Sequence, residues 1–327
     1  MNIYTIPDGY SCCGGVTELG WYAGVYCLED RDREFTEDVD GTDRKVRLLP
    51  GKSFEAWEDT MVDIPRRLVL VDGLSGTPQS TVITEAERVY GPACTSEKTA
   101  EPLLVWTESK NGRWRLMLRR GGATTSVGES SSILRAPAVA ISDSDTFIAC
   151  ETELNGNTGI AVISGNGDTL LEIAGRRPDI AWSDGSLFLV SEVASDRGRI
   201  DIRLTEILAD VPPRHISLRA DDLNMFGKLA VDRGTGTVYI CWESTPSWGY
   251  DPYTGRHRDI NLWTCRAGQR PAPAAGTFHG KLVVPRDAYV DIHDSNMPPI
   301  RPQVVIHNEQ PQVYYRRFRY RGNRCFG

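Results

Sequence analysis

The sequence has no long hydrophobic run, few histidines and no excess of positive charge. No stretch of its 327 residues approaches the roughly 20 consecutive apolar residues that carry a helix across a bilayer. Lys and Arg number 37 against 44 Asp and Glu, a net charge of −7. A sequence-independent grip on nucleic acid or on an anionic membrane needs a basic face that displaces counterions, so neither partner is expected. The 5 histidines include His215, His279 and His307, none at metal-ligand spacing. The adjacent Cys12 and Cys13 lack the Cys-x-x-Cys spacing and His partners of a zinc site, so neither metal nor cofactor is expected. Met1 to Tyr10 has neither the charged nor the apolar segment of a secretory signal. The chain therefore reads as soluble and made in the cytosol, or as cut from a longer precursor, with a final place in a virion or outside the cell left open.

Cysteine is present 8 times, but Cys27, Cys150 and Cys241 sit among Tyr, Ile, Ala and Trp in apolar segments. A free thiol there behaves as a small hydrophobe, which favours reduced cysteines; disulfides stay open for a protein that works outside the cell. Nor is there a convincing amphipathic helical pattern over about 10 residues.

What the sequence does contain is a repeat. LVWTE ending at Glu108, FIACE at Glu151, FLVSE at Glu192 and YICWE at Glu243 each put strand-forming residues before a closing Glu, at intervals of 43, 41 and 51 residues. That period fits a propeller blade of four strands, about 40 to 50 residues. Before three of these segments a turn residue opens a short strand: Ala136-Pro137 into AVAIS, Arg177-Pro178 into DIAWS, and Phe226-Gly227 into KLAVD. After each Glu come a polar loop and a third strand, WRLMLRR, GIAVISG, RIDIRLTE or INLWTCR, and weaker fourth strands run through TLLEI and RHISL. Apolar runs replace clean alternation, as expected where neighbouring sheets cover both faces.

The repeat continues with less fidelity at both ends. GVYCLE, followed by a charged loop and RKVRLLP, lies upstream; IRPQVVIHN and QVYYRRF lie downstream. The expected architecture is an all-β β-propeller of six or seven four-stranded antiparallel blades, with an irregular or incomplete terminal blade. It forms one domain over 1–327, clearest over 88–265 and irregular over 30–87 and 266–300. Either amino-terminal strands complete the last blade or the chain is a fragment.

Trp106 with Glu108, Glu192 with Gly198, Asp201 and Ile202, and Trp242 with Glu243, Gly255, Asp259 and Ile260 carry a resemblance to sialidase-like and TolB-like β-propellers over about residues 90–320. The resemblance implies a fold more than a chemistry. The sialidase Asp-box, Ser-x-Asp-x-Gly-x-Thr-Trp, is represented at most by the sequence from Ser164 to Leu170, which weighs against sialidase activity.

In an antiparallel meander the end of the second strand and the start of the first lie on one rim. Glu108, Glu151, Glu192 and Glu243 belong there with Arg135, Arg176, Arg177, Asn224, His293 and Asp294. The insertion 244–258 opens on the same rim with Trp248, Tyr250, Tyr253, Arg256 and His257. Aromatic faces stack on sugar rings and charged groups fix hydroxyls or carboxylates, so Trp248, Tyr250, Tyr253, Arg256, His257 and His293 are the candidate ligand-binding residues. Were the protein catalytic, Tyr253 or His257 would be base and Glu192 or Glu243 acid. The bland alternatives are a surface loop rich in turn signals and a repeated Glu that closes the turn after its own strand by accepting backbone N–H groups. Arg316, Arg317, Arg319, Arg321 and Arg324 could contact an acidic partner or form a solvated hairpin. Two functions stay in view: a non-enzymatic recognition or assembly propeller binding a glycan or protein, alone or in a larger assembly, and a polysaccharide lyase or glycoside hydrolase using the same face.

Overall fold

The computed structural model describes residues 2–5, 15–16, 22–27, 36–39, 42–45, 66–72, 79–86, 88–95, 103–142, 144–195, 199–209, 211–220, 223–245, 259–282, 302–307, 309–315, 319–320 and 325–326. Every element among them is a β-strand. Strand β1 (Asn2–Thr5) belongs to the last sheet. The first sheet has the order β2 (Gly15–Val16), β3 (Tyr22–Cys27), β6 (Arg66–Asp72) and β7 (Gln79–Ala86), with a separate hairpin of β4 (Thr36–Val39) and β5 (Thr42–Lys45) inserted after β3. The next sheets are consecutive meanders. The second holds β8 (Arg88–Thr95), β9 (Leu103–Lys110), β10 (Arg113–Arg120) and β11 (Ala123–Ser130). The third holds β12 (Arg135–Ile141), β13 (Thr146–Leu154), β14 (Asn157–Ser164) and β15 (Thr169–Ala174).

The fourth meander runs through β16 (Arg176–Ser183), β17 (Ser186–Ala194), β18 (Ile200–Leu208) and β19 (Val211–Leu218). The fifth has β20 (Leu223–Asp232), β21 (Thr237–Thr245) and β22 (Asp259–Cys265), edged by the two-residue pieces β23 (Ala272–Pro273) and β24 (Lys281–Leu282). A single parallel pairing, Ile200 with Leu223, links these two meanders. In the last sheet β25 (Gln303–His307) pairs antiparallel with β26 (Gln310–Tyr315), whose other edge takes β1 in parallel; β27 (Arg319–Tyr320) and β28 (Cys325–Phe326) form a small hairpin. The strand that follows β3 in its sheet is Arg66–Asp72, not RKVRLLP, whose first two residues lie instead in the inserted β4–β5 hairpin.

Two features make this a β-propeller. The first strands pack side by side in a closed cycle, β2 on β8, then β12, β16, β20, β25 and back to β2. The apolar core, in turn, is divided into clusters between neighbouring sheets. Leu103, Val105, Trp114 and Leu116 meet Ile148 and Cys150 between the second and third. Ala149, Ile160 and Val162 meet Ile180 and Leu189 between the third and fourth. Val190, Ile202 and Leu204 meet Ile240 and Trp242 between the fourth and fifth, and Cys241, Ile260 and Leu262 meet Val304 and Val313 beyond. Alternation along a strand sends successive side chains to opposite neighbours: Trp242 goes to one sheet and Cys241 to the other. Middle strands covered on both sides must be apolar throughout, which is why β9 and β17 read as continuous runs. The outer β11 and β15 are mostly exposed and correspondingly polar or mixed.

Candidate functional site

The second strands end, and the first strands begin, on one rim. Each of β12, β16 and β20 opens with a bulge that breaks its register against the next strand, between Arg135 and Ala138, Arg176 and Asp179, and Met225 and Lys228. The middle residue of each bulge is left-handed: Ala136 at φ 42°, Arg177 at 46° and Phe226 at 57°. Such a turn points the main-chain N–H out of its own ladder, where it needs an acceptor.

At Arg177 and Phe226 a repeated glutamate supplies it. Glu151, buried in β13, accepts the N–H of Arg177 in the next sheet at 3.0 Å. Glu192, 2% exposed, accepts the N–H of Phe226 in the sheet after that at 2.8 Å through Oε1. Its Oε2 takes Arg177 Nη1 at 2.7 Å, and the Arg177 guanidinium lies 4.8 Å over the Phe226 ring. Arg177 thus connects three sheets. Glu151 and Glu192 do not close their own hairpins, as the turn-closing reading expects; they hold one sheet to the next. Glu108 accepts Trp106 Nε1 at 2.9 Å and Thr84 Oγ1 of the first sheet at 3.3 Å. Glu243 is fully buried, opposite Met225 and Ile260 in its sheet.

Burial pushes the Glu192 carboxyl above the usual carboxylate range, against the opposing pull of Arg177 and of the Phe226 N–H. Further down the central strands Asp179 of β16 accepts the Leu229 N–H at 2.7 Å and faces Lys228 Nζ at 3.4 Å. Its carboxyl, too, is raised by burial, with Lys228 and the N–H of Leu229 opposing. Sequence reasoning missed Asp179; the available signal was a carboxylate in an otherwise apolar strand, directly after Arg177-Pro178.

Around this chain the rim is tied by polar side chains. Asn224 Oδ1 accepts the Ala220 N–H at 3.0 Å and Trp242 Nε1 at 3.1 Å, while its Nδ2 donates to Ile200 O at 3.1 Å. Asp201 accepts Arg219 Nε at 2.8 Å and Ser217 Oγ at 3.2 Å. Arg135 and Arg176 stand opposite Glu151 and Glu192 in register. The Ser164 segment does occupy the turn between third and fourth strands: Ser164 Oγ accepts the N–H groups of Asn166 and Asp168 at 3.3 and 3.2 Å. Of the remaining candidates, Trp248, Tyr250, Tyr253, Arg256, His257, His293 and Asp294 lie outside the described residues. Among the described residues no group of His, Cys, Asp and Glu is arranged to hold a metal ion, and no helix is long and apolar enough to cross a membrane.

No family model matches the chain, and no curated protein does. Solved structures resemble it in fold. TolB from Acinetobacter baumannii is 13% identical with a TM-score of 0.45, over 64% of this chain and 48% of that one. A GH43 endo-arabinanase from Bacillus licheniformis is 11% identical with a TM-score of 0.41, over 82% and 99%. A subtype N10 neuraminidase-like protein of A/little yellow-shouldered bat/Guatemala is 10% identical with a TM-score of 0.36, over 64% and 90%. The chain spans about half the length of the TolB it resembles. The class is that of the β-propellers, on the strength of the closed cycle of first strands and the inter-sheet cores.

Proposed function

We propose that the protein is a recognition or assembly propeller that holds a glycan or protein partner on the rim formed by the corners into the first strands and the hairpins after the second. The observation that carries this reading is the engagement of Glu151 and Glu192. A catalytic acid must present an oxygen to its substrate, whereas both oxygens of Glu192 are taken, one by the next sheet and one by Arg177 of its own, and one oxygen of Glu151 is taken by the next sheet. Glutamates committed to holding the ring leave the loops above it to make contacts. The insertion with Trp248, Tyr250, Tyr253, Arg256 and His257 supplies the stacking and charged groups for a sugar or a protein surface.

One observation favours the second reading, a polysaccharide lyase or glycoside hydrolase. Two carboxyls, Glu192 and Asp179, are held above the usual range near the central strands, and a raised carboxyl is what a general acid requires. The deciding experiment offers the purified protein a panel of acidic and neutral polysaccharides, following binding, unsaturated products and new reducing ends, with His257→Ala in parallel. Binding without turnover, weakened in His257→Ala, supports the recognition propeller. Turnover that disappears in the variant replaces that reading with the enzyme.

A further inference from the structure

The outer edge of the fifth sheet is built differently from those of the three sheets before it. Each of those carries a full fourth strand, β11, β15 or β19, along its third. Along β22 the same place is taken by the two-residue pieces β23 and β24, joined by residues 274–280. That joining stretch is fixed by its own hydrogen bonds. Thr277 donates to Ala274 O through its N–H at 3.3 Å and through Oγ1 at 2.6 Å, and its Oγ1 accepts the Gly280 N–H at 3.1 Å. Phe278 and Lys281 exchange main-chain bonds at 3.1 and 2.9 Å, and between them His279 at φ 51° and Gly280 at φ 85° make a tight turn with both residues left-handed. Gly280 admits no side chain: a methyl group there would stand 2.3 Å from Trp263 Nε1. The Trp263 ring in turn lies 5.8 Å from that of the buried Trp242, so the turn is seated on the core between the fourth and fifth sheets.

What this fixed turn displays is an aromatic ring. Phe278 is 72% exposed, with the His279 ring against it edge-on at 4.6 Å. The other exposed large apolar residues, Val82, Ile133, Leu170, Leu208 and Val211, are all aliphatic and no more than 54% exposed. Single aliphatic side chains at a surface need no explanation. A ring held clear of the core by a turn this constrained does. The charge around it is one-sided as well. From Ile260 to Leu282 the chain has no Asp or Glu, yet it contains Arg266, Arg270 and Lys281, in a protein whose net charge is −7. Lys281 is paired with Asp259, whereas Arg266 and Arg270 are exposed and form no ion pair with another described residue.

We propose that the outer edge of the fifth sheet is a docking surface for a partner protein, and that it takes an acidic segment whose apolar side chains lie against Phe278 while its carboxylates meet Arg266 and Arg270. An exposed aromatic anchor with charged residues beside it is the arrangement that concentrates binding energy in protein interfaces. Because the turn is already fixed, little freedom is lost when the ring is covered. The sign of the charge selects the partner: an acid-free stretch with two unpaired guanidinium groups attracts carboxylates and repels a basic segment. This surface lies on the outside of the ring, apart from the rim, and does not depend on what the rim holds.

The test selects peptides from a phage-displayed random dodecapeptide library on the full chain, with the Phe278→Ser protein used to remove everything that binds elsewhere. The enriched peptides are then synthesised and titrated by fluorescence anisotropy. They are expected to be acidic and to carry Leu or aromatic residues. Phe278→Ser weakens their binding roughly tenfold or more, as truncation of an interface anchor does. Arg266→Glu and Arg270→Glu weaken it too and flatten its dependence on salt. Leu170→Ser, an exposed apolar change on another sheet, leaves it unchanged. Circular dichroism checks that each variant is folded. Equal binding by wild type and folded Phe278→Ser overturns the surface, as does a selection that enriches nothing or enriches peptides without an excess of acidic residues. Sedimentation of the free protein covers the remaining occupant: concentration-dependent dimerisation that Phe278→Ser abolishes would give the surface to a second copy of this chain and refute the acidic partner. Polysaccharide binding measured on Phe278→Ser is expected to match wild type, so failure here and failure of the rim reading are told apart.

Discussion

Glu192 accepts the main-chain N–H of Phe226 at 2.8 Å across the boundary between two sheets, and the same carboxylate accepts Arg177 Nη1 at 2.7 Å. Removing it takes one acceptor from a largely buried guanidinium and one from the N–H of a left-handed residue. Glu192→Ala is expected to destabilise the protein by on the order of 3 kcal/mol. Glu151→Ala breaks one main-chain bond and costs about 1–2 kcal/mol. Urea unfolding of both variants checks the order; an Ala at 151 that costs more than one at 192 would refute the assignment of Glu192 as the stronger link.

The raised carboxyls of Glu192 and Asp179 make a signed prediction about pH. A carboxyl whose folded pKa exceeds its unfolded one binds its proton more tightly when folded. Its contribution is fully present below the unfolded value, about 3.9 for Asp, and is lost as pH rises through the folded value. The stability of wild type relative to Asp179→Asn should therefore fall as pH rises across that window. Denaturation at a series of pH values measures it; a relative stability that rises with pH contradicts the assigned direction.

Ala136 holds φ 42° without being glycine. The left-handed region costs a residue with a Cβ about 1 kcal/mol, partly offset by the greater freedom of glycine in the unfolded chain. Ala136→Gly is expected to raise the melting temperature slightly and Ala136→Val to lower it clearly. Calorimetry of the two reads the sign, and a lower melting temperature for the glycine variant would count against bulge strain at this position.

Cys150 and Cys265 are free thiols, buried, and pushed up to about 12 by loss of water; Cys241 is pushed up for the same reason. Thiolate is the reactive form, so alkylation of these three at neutral pH should follow unfolding. Peptide mapping after iodoacetamide, with and without denaturant, tests this; labelling of Cys150 in the folded protein would show the cleft between the second and third sheets to be open.

The strands from β9 to β22, β11 apart, were legible because the middle strands of a propeller are apolar on both faces and a closing Glu recurs with each sheet; β11 is mostly exposed and carries no apolar run. Their spacing in the sequence is the spacing of the sheets. The acceptor role of those glutamates was not legible in the same way. The donor to Glu192 is a main-chain group at Phe226, and no residue type advertises a main-chain N–H. The indirect sign was the triplet before each first strand, Arg135-Ala136-Pro137, Arg176-Arg177-Pro178 and Met225-Phe226-Gly227, recurring in step with the glutamates. It reads as a turn signal, which is correct, but the direction of the freed N–H appears only when the sheets are placed side by side. Asp179 was hidden by its apolar neighbours. In the first sheet the partner of β3 was misread because the β4–β5 hairpin separates them in sequence.

Strand β1 meets β26 in parallel, with Asn2 opposite Gln312 and Thr5 opposite Tyr315. The second, third and fourth sheets are made of consecutive strands, so each can assemble soon after it leaves the ribosome. The sheet that joins β1 to β26 cannot: β1 has to wait until β26, far later in the sequence, has been made. Contacts of such sequence separation form slowly, and during that wait β1 is without its place. Closing the ring is therefore expected to be a late and slow step of folding, set by this long-range pairing and not by the assembly of the consecutive sheets.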